Sequence, residues 1–197
     1  GGSQLVNSKG EIIYDHPINP LTVEIIKNYL SESNALAVFM KADAQYADEP
    51  LYSKMKNHPW NYVVKKLDQM SNERVGAVFI TKLNNEIVNY IENNPNLSYK
   101  EMVGNNSGKP YIDVTAKGVN KSTLLHKWSE KTQIPMEKVI GFGDSLNDLE
   151  FLQSCGFSVS MENAIETLKQ ITDKVIGNVN ENGIAEYLLK IIQGKDL

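Results

Sequence analysis

Residues 139–152, VIGFGDSLNDLEFL, contain the pattern that decides the fold. The stretch opens as a short apolar run, passes through two glycines and reaches a cluster of polar side chains. From Leu146 onward a leucine recurs at every third position, which predicts the buried stripe of a helix. We therefore expect Asp144, Asn147 and Asp148 at the end of a buried strand, above the first turn of a helix. In an open α/β sheet ligands bind there, in the crevice beyond the carboxyl ends of the strands.

Residue types alone leave two interpretations of this polar cluster open. Asp is a preferred N-cap residue, and acidic side chains in a first helical turn favour the helix macrodipole. Two aspartates and an asparagine beside Gly141 and Gly143, which let the backbone turn tightly, also suit a metal or phosphate site. A dinucleotide-binding fingerprint fits less well, because Gly-Phe-Gly lacks the third glycine and Asp144 stands where a pyrophosphate would approach.

The composition is that of a globular protein. The chain has 197 residues, of which 41% are hydrophobic and 22% charged, enough for one large domain or two small ones. A net charge of −4 without a local basic cluster argues against nucleic-acid binding. Cys155 is the sole cysteine, which excludes a disulfide framework and predicts core packing. The longest apolar run, residues 35–40, is too short to cross a membrane, and no signal peptide is evident, so we expect a cytoplasmic protein.

The first part of the chain predicts short strands alternating with helices. Residues 4–6 and 11–14 flank turn residues and predict a β-hairpin. A helix should begin after Asn19, with Pro20 in its first position. The predicted apolar face of this helix is formed by Leu21, Ile25, Ile26, Tyr29 and Leu30. Further patterns predict strands at residues 35–40 and 75–80 and a helix with Leu83, Ile87, Val88 and Ile91 on its apolar face.

Lys121 stands where a lysine is unfavourable. It opens a predicted helix and lies in line with Leu125 and Trp128 on the apolar face of that helix. Its charge opposes the macrodipole, and burial without a partner costs more. One interpretation is a lysine that extends its stem along the edge of the core. The other is an anionic site opposite the lysine, which the aspartates at 144 and 148 could supply.

The motif Gly-Asp-Ser-Leu-Asn-Asp at residues 143–148 resembles the fourth motif of the haloacid dehalogenase superfamily, in its Cof-type phosphatase branch. Lys-Gly-Val-Asn-Lys at residues 117–121 is similar to the third motif, with Ser122 where many members have glycine. The resemblance covers most of the chain. It implies an α/β fold: a Rossmann-like parallel-sheet core, incomplete at its N-terminus, with an inserted α+β cap domain.

The resemblance also implies a division of the chain. Residues 1–16 would be a core segment that leads to the cap, residues 17–108 the substrate-selecting cap, and residues 109–197 the core with motifs three and four. On this basis residues 111–114 are predicted to be a strand that returns to the core.

Aromatic and polar residues of the cap are the candidates for lining a substrate pocket. His58 and Trp60 are among them, although a structural or exposed His and a packing Trp are the more ordinary roles.

Four residues receive roles from the resemblance. Lys121 would bind the phosphoryl group together with the nucleophile's carboxylate, and Asn147 would reach the phosphate. Asp144 would coordinate Mg²⁺ directly, and Asp148 would support the metal indirectly, either through a water or by contacting one of its ligands. Mg²⁺ prefers oxygen ligands and keeps several waters, so this set suits it.

The family's first motif, Asp-x-Asp-Gly-Thr, supplies a nucleophile that we do not find here. The chain opens with Gly-Gly-Ser rather than Met, and no two of its nine aspartates stand two positions apart. The expected activity is Mg²⁺-dependent hydrolysis of small phosphorylated metabolites such as sugar phosphates, through an aspartyl-phosphate, with these residues alone inactive. The alternative is a truncated or non-catalytic relative that binds metal or phosphate without turnover. No membrane or nucleic-acid partner is expected, and residues 139–142 would form an exposed core edge through which the chain self-associates.

Overall fold

The computed structural model of the protein describes residues 2–57, 63–103 and 108–195. The chain divides into two compact units, Gly1–Val119 and Asn120–Leu197.

The first unit is built on a six-stranded mixed sheet. Its strands and helices are β1 (Gln4–Val6), β2 (Ile12–Asp15), α1 (Pro20–Ser31), β3 (Leu36–Met40), β4 (Gln45–Ala47), α2 (Leu51–Met55), β5 (Val64–Lys66), β6 (Ala77–Thr81), α3 (Asn85–Glu92), β7 (Leu97–Val103) and β8 (Pro110–Ala116). The order in the sheet is β5-β4-β3-β6-β8-β7, with β4 and β5 parallel and the other neighbours antiparallel. The predicted hairpin is confirmed, because β1 and β2 pair as a separate antiparallel sheet.

The predicted start of α1 is also confirmed. The Asn19 side chain accepts a hydrogen bond from the backbone N–H of Leu21 at 2.9 Å, and Pro20 occupies the first position of the helix. The predicted apolar face of α1 is wrong in part, because Leu21 is 65% exposed. The helix instead buries Thr22, Val23, Ile26 and Leu30 against the core that the sheet shares with α3.

The interpretation of residues 111–114 as a strand returning to the core sheet is wrong. They belong to β8, which pairs along its length with β6 and β7 in the sheet of the first unit. β7 precedes β8 as its antiparallel partner, with Val103 opposite Pro110. Residues 104–107, between these two strands in the sequence, lie outside the described part. The division into core segment, cap and core stays a prediction.

The second unit contains a three-stranded parallel sheet in the order β11-β10-β9. Its elements are α4 (Lys121–Thr132), β9 (Ile140–Gly143), α5 (Leu149–Ser154), β10 (Phe157–Met161), α6 (Glu166–Ile171), β11 (Lys174–Ile176) and α7 (Gly183–Ile192). β9, the strand that leads into motif four, pairs with β10 in parallel, with Ile140 opposite Phe157. Among the described residues, β9 has β10 as its sole neighbour and forms an edge of this sheet.

The C-terminal helix α7 closes one apolar cluster of the second unit. Tyr187 is buried with Val159, Met161 and Ile176. Ile192, the last residue of this helix, is 80% exposed. In the part of the chain that the structure describes, no helix has the length and apolar character needed to span a bilayer.

Candidate functional site

The polar turn after β9 is the candidate site. β9 ends at Gly143, and a single 3₁₀ turn, Leu146–Asp148, follows before α5. The predicted buried stripe is therefore wrong at its first position: Leu146 is 40% exposed, whereas Leu152 is buried. A 3₁₀ turn has three residues per turn, so the side chains before α5 follow a different phase from those within it.

The two glycines of β9 allow close packing and do not turn the backbone. Neither Gly141 nor Gly143 has a left-handed φ. A Cβ on Gly143 would lie 2.6 Å from the Cβ of Asp148, and one on Gly141 would lie 2.5 Å from Cys155 Sγ. Because Gly143 has no side chain, Asp148 can pack directly against the end of β9. The expectation that the two glycines make a tight turn is therefore wrong.

Asp148 is the central side chain of the turn. It is only 5% exposed, and its Oδ1 forms an ion pair with Lys121 Nζ. Its Oδ2 accepts hydrogen bonds from the backbone N–H groups of Asp144 and Ser145, each at 3.2 Å. Both carboxylate oxygens are therefore occupied by donors of the protein itself.

Lys121 is the first residue of α4, which Asn120 caps by accepting a hydrogen bond from the backbone N–H of Thr123 at 2.8 Å. The Lys121 ammonium contacts Asp148 and lies 3.4 Å from Asn147 Oδ1, while its side chain remains 38% exposed. Of the two interpretations of this lysine, the structure shows the one with an acidic partner. That partner is Asp148 and not Asp144.

Ser145 is a residue of the site that the sequence reasoning did not single out. Its hydroxyl donates to Asn147 Oδ1 at 2.6 Å and lies 3.2 Å from Asp148 Oδ2. The available signal was the Ser-x-x-Asp spacing from Ser145 to Asp148, which is a variant of the capping-box pattern.

Asp144 differs from Asp148 in its surroundings. Its side chain is half-buried, and its backbone carbonyl accepts a hydrogen bond from the N–H of Ile165 at 3.2 Å. Within residues 2–57, 63–103 and 108–195, the Asp144 carboxylate forms no hydrogen bond or ion pair with another side chain. It is the carboxylate of the turn whose oxygens are open to a ligand.

The donor set fits a magnesium ion held by few protein ligands. Mg²⁺ commonly takes one or two carboxylates and completes its octahedron with waters and phosphate oxygens. The described residues contain no group of three or more His, Cys, Asp or Glu side chains suited to a metal. Asp144 could therefore hold Mg²⁺ as a single carboxylate ligand, with the ammonium of Lys121 and the amide of Asn147 beside it to neutralise an anion.

Two candidates in the first unit cannot be compared with the structure. His58 and Trp60 lie outside the described residues, so their expected place in a substrate pocket stays a prediction.

The parallel sheet and the lysine–aspartate turn at its carboxyl end place the protein in the class of α/β proteins of the haloacid dehalogenase type. The family model of the haloacid dehalogenase-like hydrolases matches residues 2–188, and the chain belongs to this family.

Curated relatives extend this assignment. The chain is 30% identical over 169 residues to the 5-amino-6-(5-phospho-D-ribitylamino)uracil phosphatase YitU of Bacillus subtilis (strain 168), a match that covers 84% of this chain and 62% of that protein. It is 40% identical over 81 residues to the phosphoglycolate phosphatase of Methanothermobacter thermautotrophicus, covering 41% of this chain and 37% of that protein. The chain thus matches less than two thirds of the length of either relative.

Solved structures show the same fold. A hypothetical protein of Geobacillus kaustophilus HTA426 superposes with a TM-score of 0.71 at 26% identity, covering 94% of this chain and 72% of that one. A haloacid dehalogenase-like hydrolase of Bacteroides thetaiotaomicron superposes with a TM-score of 0.75 at 18% identity, covering 96% and 74%.

Proposed function

We propose that this chain supplies the metal- and phosphate-binding half of a Mg²⁺-dependent phosphomonoester hydrolase. The observation that carries the proposal is the arrangement after β9, where Asp148 pairs with Lys121 while the Asp144 carboxylate remains open. Family membership supports the reaction class, since the matched model describes hydrolases and the curated relatives named above are phosphatases.

Each side chain has a separate task in this proposal. Asp144 holds Mg²⁺, and the bound ion supplies neutralisation of charge on the phosphate oxygens. Lys121 and Asn147 bind and orient the phosphoryl group with an ammonium and an amide. Asp148 supports the metal through a water or by contacting one of its ligands, and it fixes Lys121 and the backbone N–H groups of the turn. Phosphoryl transfer depends mainly on such positioning and charge neutralisation.

The substrates in this proposal are small phosphorylated metabolites such as sugar phosphates. The relatives are phosphatases named for a phosphoribityl compound, phosphoglycolate and, in Escherichia coli, pyridoxal phosphate. These compounds share a small size and a phosphate monoester group and differ in the rest of the molecule. The phosphate group, which these compounds share, is what Lys121 and Asn147 would bind, together with Mg²⁺ held by Asp144.

The nucleophile of the proposed reaction is not among these residues. A carboxylate must lie in line with the scissile bond, roughly 3 Å from phosphorus. Asp144 is assigned to the metal and Asp148 to Lys121, and the sequence has no Asp-x-Asp pair. We propose that the 197 residues alone are inactive. The second candidate, a relative that binds metal and phosphate without turnover, has the same site and differs only in lacking a partner segment with the nucleophile.

Two further expectations belong to this proposal. A cytoplasmic location follows from the apolar pattern of the sequence. Self-association would occur through β9, because an unpaired hydrophobic strand edge is a template for pairing with another chain. The mass of a monomer at every concentration in light scattering would contradict the second expectation.

The activity test compares the chain alone with the chain joined to a segment that carries Asp-x-Asp-Gly-Thr. The isolated chain should not hydrolyse p-nitrophenyl phosphate or hexose phosphates with Mg²⁺, whereas the joined or co-folded protein should. Asp144→Asn in the joined protein should abolish the activity. Mg²⁺-dependent turnover by the isolated chain that is lost in Asp144→Asn would overturn the assignment of the nucleophile. Turnover that survives this substitution would indicate a contaminating phosphatase.

A further inference from the structure

The amide of Asn147 has an orientation that its neighbours determine. Lys121 Nζ lies 3.4 Å from Oδ1, and the Ser145 hydroxyl donates to the same oxygen at 2.6 Å. A lysine ammonium can only donate hydrogen bonds. If the amide were rotated by half a turn, its NH₂ group would face the ammonium, donor against donor.

The Ser145 hydroxyl has one proton and two acceptors within reach. Asn147 Oδ1 is at 2.6 Å and Asp148 Oδ2 at 3.2 Å. Asp148 Oδ2 already accepts from two backbone N–H groups, and the shorter distance favours Asn147. The proton of Ser145 is therefore committed to Oδ1 of Asn147, and Ser145 itself has no donor left for a ligand.

We propose that Ser145 is a positioning residue that fixes the Asn147 amide with its NH₂ group toward a bound anion. With Oδ1 held by Ser145 and Lys121, the two N–H bonds of Nδ2 point to the opposite side of the amide. They can donate to the oxygens of a phosphate, which accept hydrogen bonds and cannot donate when ionised. Ser145 acts only through Asn147, and the ligand in this inference rests on the function proposed above.

Loss of the hydroxyl has a specific consequence. In Ser145→Ala, Oδ1 retains only the longer contact with Lys121, so the amide can rotate about its last side-chain bond. The phosphate then meets a mixture of NH₂ and carbonyl orientations, and its affinity falls. Asp144 is untouched, so Mg²⁺ affinity should stay within about twofold. We expect a fivefold to tenfold rise in the phosphate Kd, which corresponds to about 1.0–1.4 kcal/mol, the size of one neutral hydrogen bond.

The first arm of the test is the orientation itself. In the ¹⁵N-labelled unsubstituted chain, the Asn147 NH₂ protons should give a single pair of signals without nuclear Overhauser contacts to the Lys121 ε-methylene. In Ser145→Ala we expect a second pair of signals or such contacts. Contacts between the NH₂ protons and Lys121 in the unsubstituted chain would overturn the inference, whether or not phosphate binds.

The second arm is a titration with inorganic phosphate in the presence of Mg²⁺, followed by the Asn147 NH₂ signals. We expect the Kd to rise fivefold to tenfold in Ser145→Ala, to recover in Ser145→Thr, which restores a hydroxyl, and to remain unchanged in Ser129→Ala. Ser129 is a suitable control because its hydroxyl also donates a hydrogen bond in the second unit, to the carbonyl of Ile134 at 2.6 Å. An unchanged Kd in Ser145→Ala would overturn the positioning role. If phosphate shifts no signal while the NH₂ orientation is as stated, the proposed function fails and the orientation stands.

Discussion

Both carboxylate oxygens of Asp148 accept hydrogen bonds within the protein, whereas those of Asp144, four positions earlier, have no partner in the described part of the chain. Asp148 contacts Lys121 through one oxygen and two backbone N–H groups through the other. The same residue type thus has two different environments within one turn.

This difference predicts opposite results for two matched substitutions. Asp148→Ala leaves Lys121 and two backbone donors without their acceptor; the ion pair is screened by the exposure of Lys121, so most of the expected loss of about 2–3 kcal/mol comes from the two unsatisfied backbone N–H groups. Asp144→Ala removes no protein contact of the described residues and should change the free energy of unfolding by less than about 0.5 kcal/mol. Urea denaturation of the two variants beside the unsubstituted chain measures this. Equal losses would show that Asp144 also supports the fold.

Lys121 gives a second prediction, whose sign depends on the structure. A lysine at a helix N-terminus opposes the macrodipole, so from sequence alone its removal should be neutral or stabilising. In the structure Asp148 is 5% exposed and would lose its counter-charge. We expect Lys121→Ala to lower the free energy of unfolding by about 1–2 kcal/mol, since partial exposure of the lysine screens the pair. Lys121→Arg should retain most of the stability, because it keeps the positive charge opposite Asp148. A Lys121→Ala protein that is more stable than the unsubstituted chain in urea denaturation would contradict the role of the ion pair.

At the scale of elements, the end of β9 and the turn that follows are packed too closely for a side chain. We expect Gly143→Ala to destabilise the chain by about 2–3 kcal/mol, because its Cβ would overlap Asp148 and the surroundings would have to move. Gly177→Ala is the matched control: the nearest heavy atom to its Cβ is Gly183 Cα at 3.5 Å, an ordinary contact. A comparison of melting temperatures decides the matter, and equal changes for the two variants would mean that β9 can shift.

The strands β10 and β11 are joined by a carboxylate. The backbone N–H and the hydroxyl of Ser158 each donate to Asp173 Oδ2 at 2.7 Å, and these hydrogen bonds lower the pKa of Asp173. Because the folded pKa lies below the unfolded one, the stabilisation is complete above the unfolded pKa, about 3.9. It is lost as the pH falls from there through the folded pKa, because the unfolded chain takes up the proton first and protonation of Asp173 weakens its hydrogen bonds to Ser158 in the folded chain.

Asp173→Asn should therefore lower the melting temperature at pH 6 and have a smaller effect as the pH approaches 3. Melting curves of the substituted and unsubstituted chains across this range give the difference at each pH. A difference that does not change with pH would show that the charge of Asp173 contributes nothing to the joint between the strands.

Elements defined by local signals were predictable, and those defined by distant partners were not. The hairpin of β1 and β2 and the capped start of α1 follow from short patterns of residues. β8 has the same apolar pattern as a core strand, and only its pairing with β6 and β7 shows which sheet it joins. The exposure of Leu146 was missed because a 3₁₀ turn and an α-helix share the spacing of three residues over so short a stretch.

At the scale of the whole molecule, the family and the parallel sheet with its polar turn were predictable, because motif three and motif four are each a continuous stretch of sequence. The network within the site was not. The pairing of Lys121 with Asp148 spans 27 positions, and the role of Ser145 depends on hydrogen bonds among side chains that residue types alone do not fix. Gly141 and Gly143 were expected to allow a tight turn, but they allow close packing instead. The sequence does not distinguish a glycine needed for packing from one needed for a turn.

The central claim is that the turn after β9 binds a divalent cation through Asp144, and paramagnetic broadening tests it most directly. Mn²⁺ prefers the same octahedral oxygen sites as Mg²⁺. Substoichiometric Mn²⁺ added to the ¹⁵N-labelled chain should first broaden the backbone amide signals of Asp144 and Ser145. Excess Mg²⁺ should restore them, and Asp144→Asn should prevent the broadening. Broadening that centres elsewhere in the chain, or that persists in Asp144→Asn, would contradict the claim.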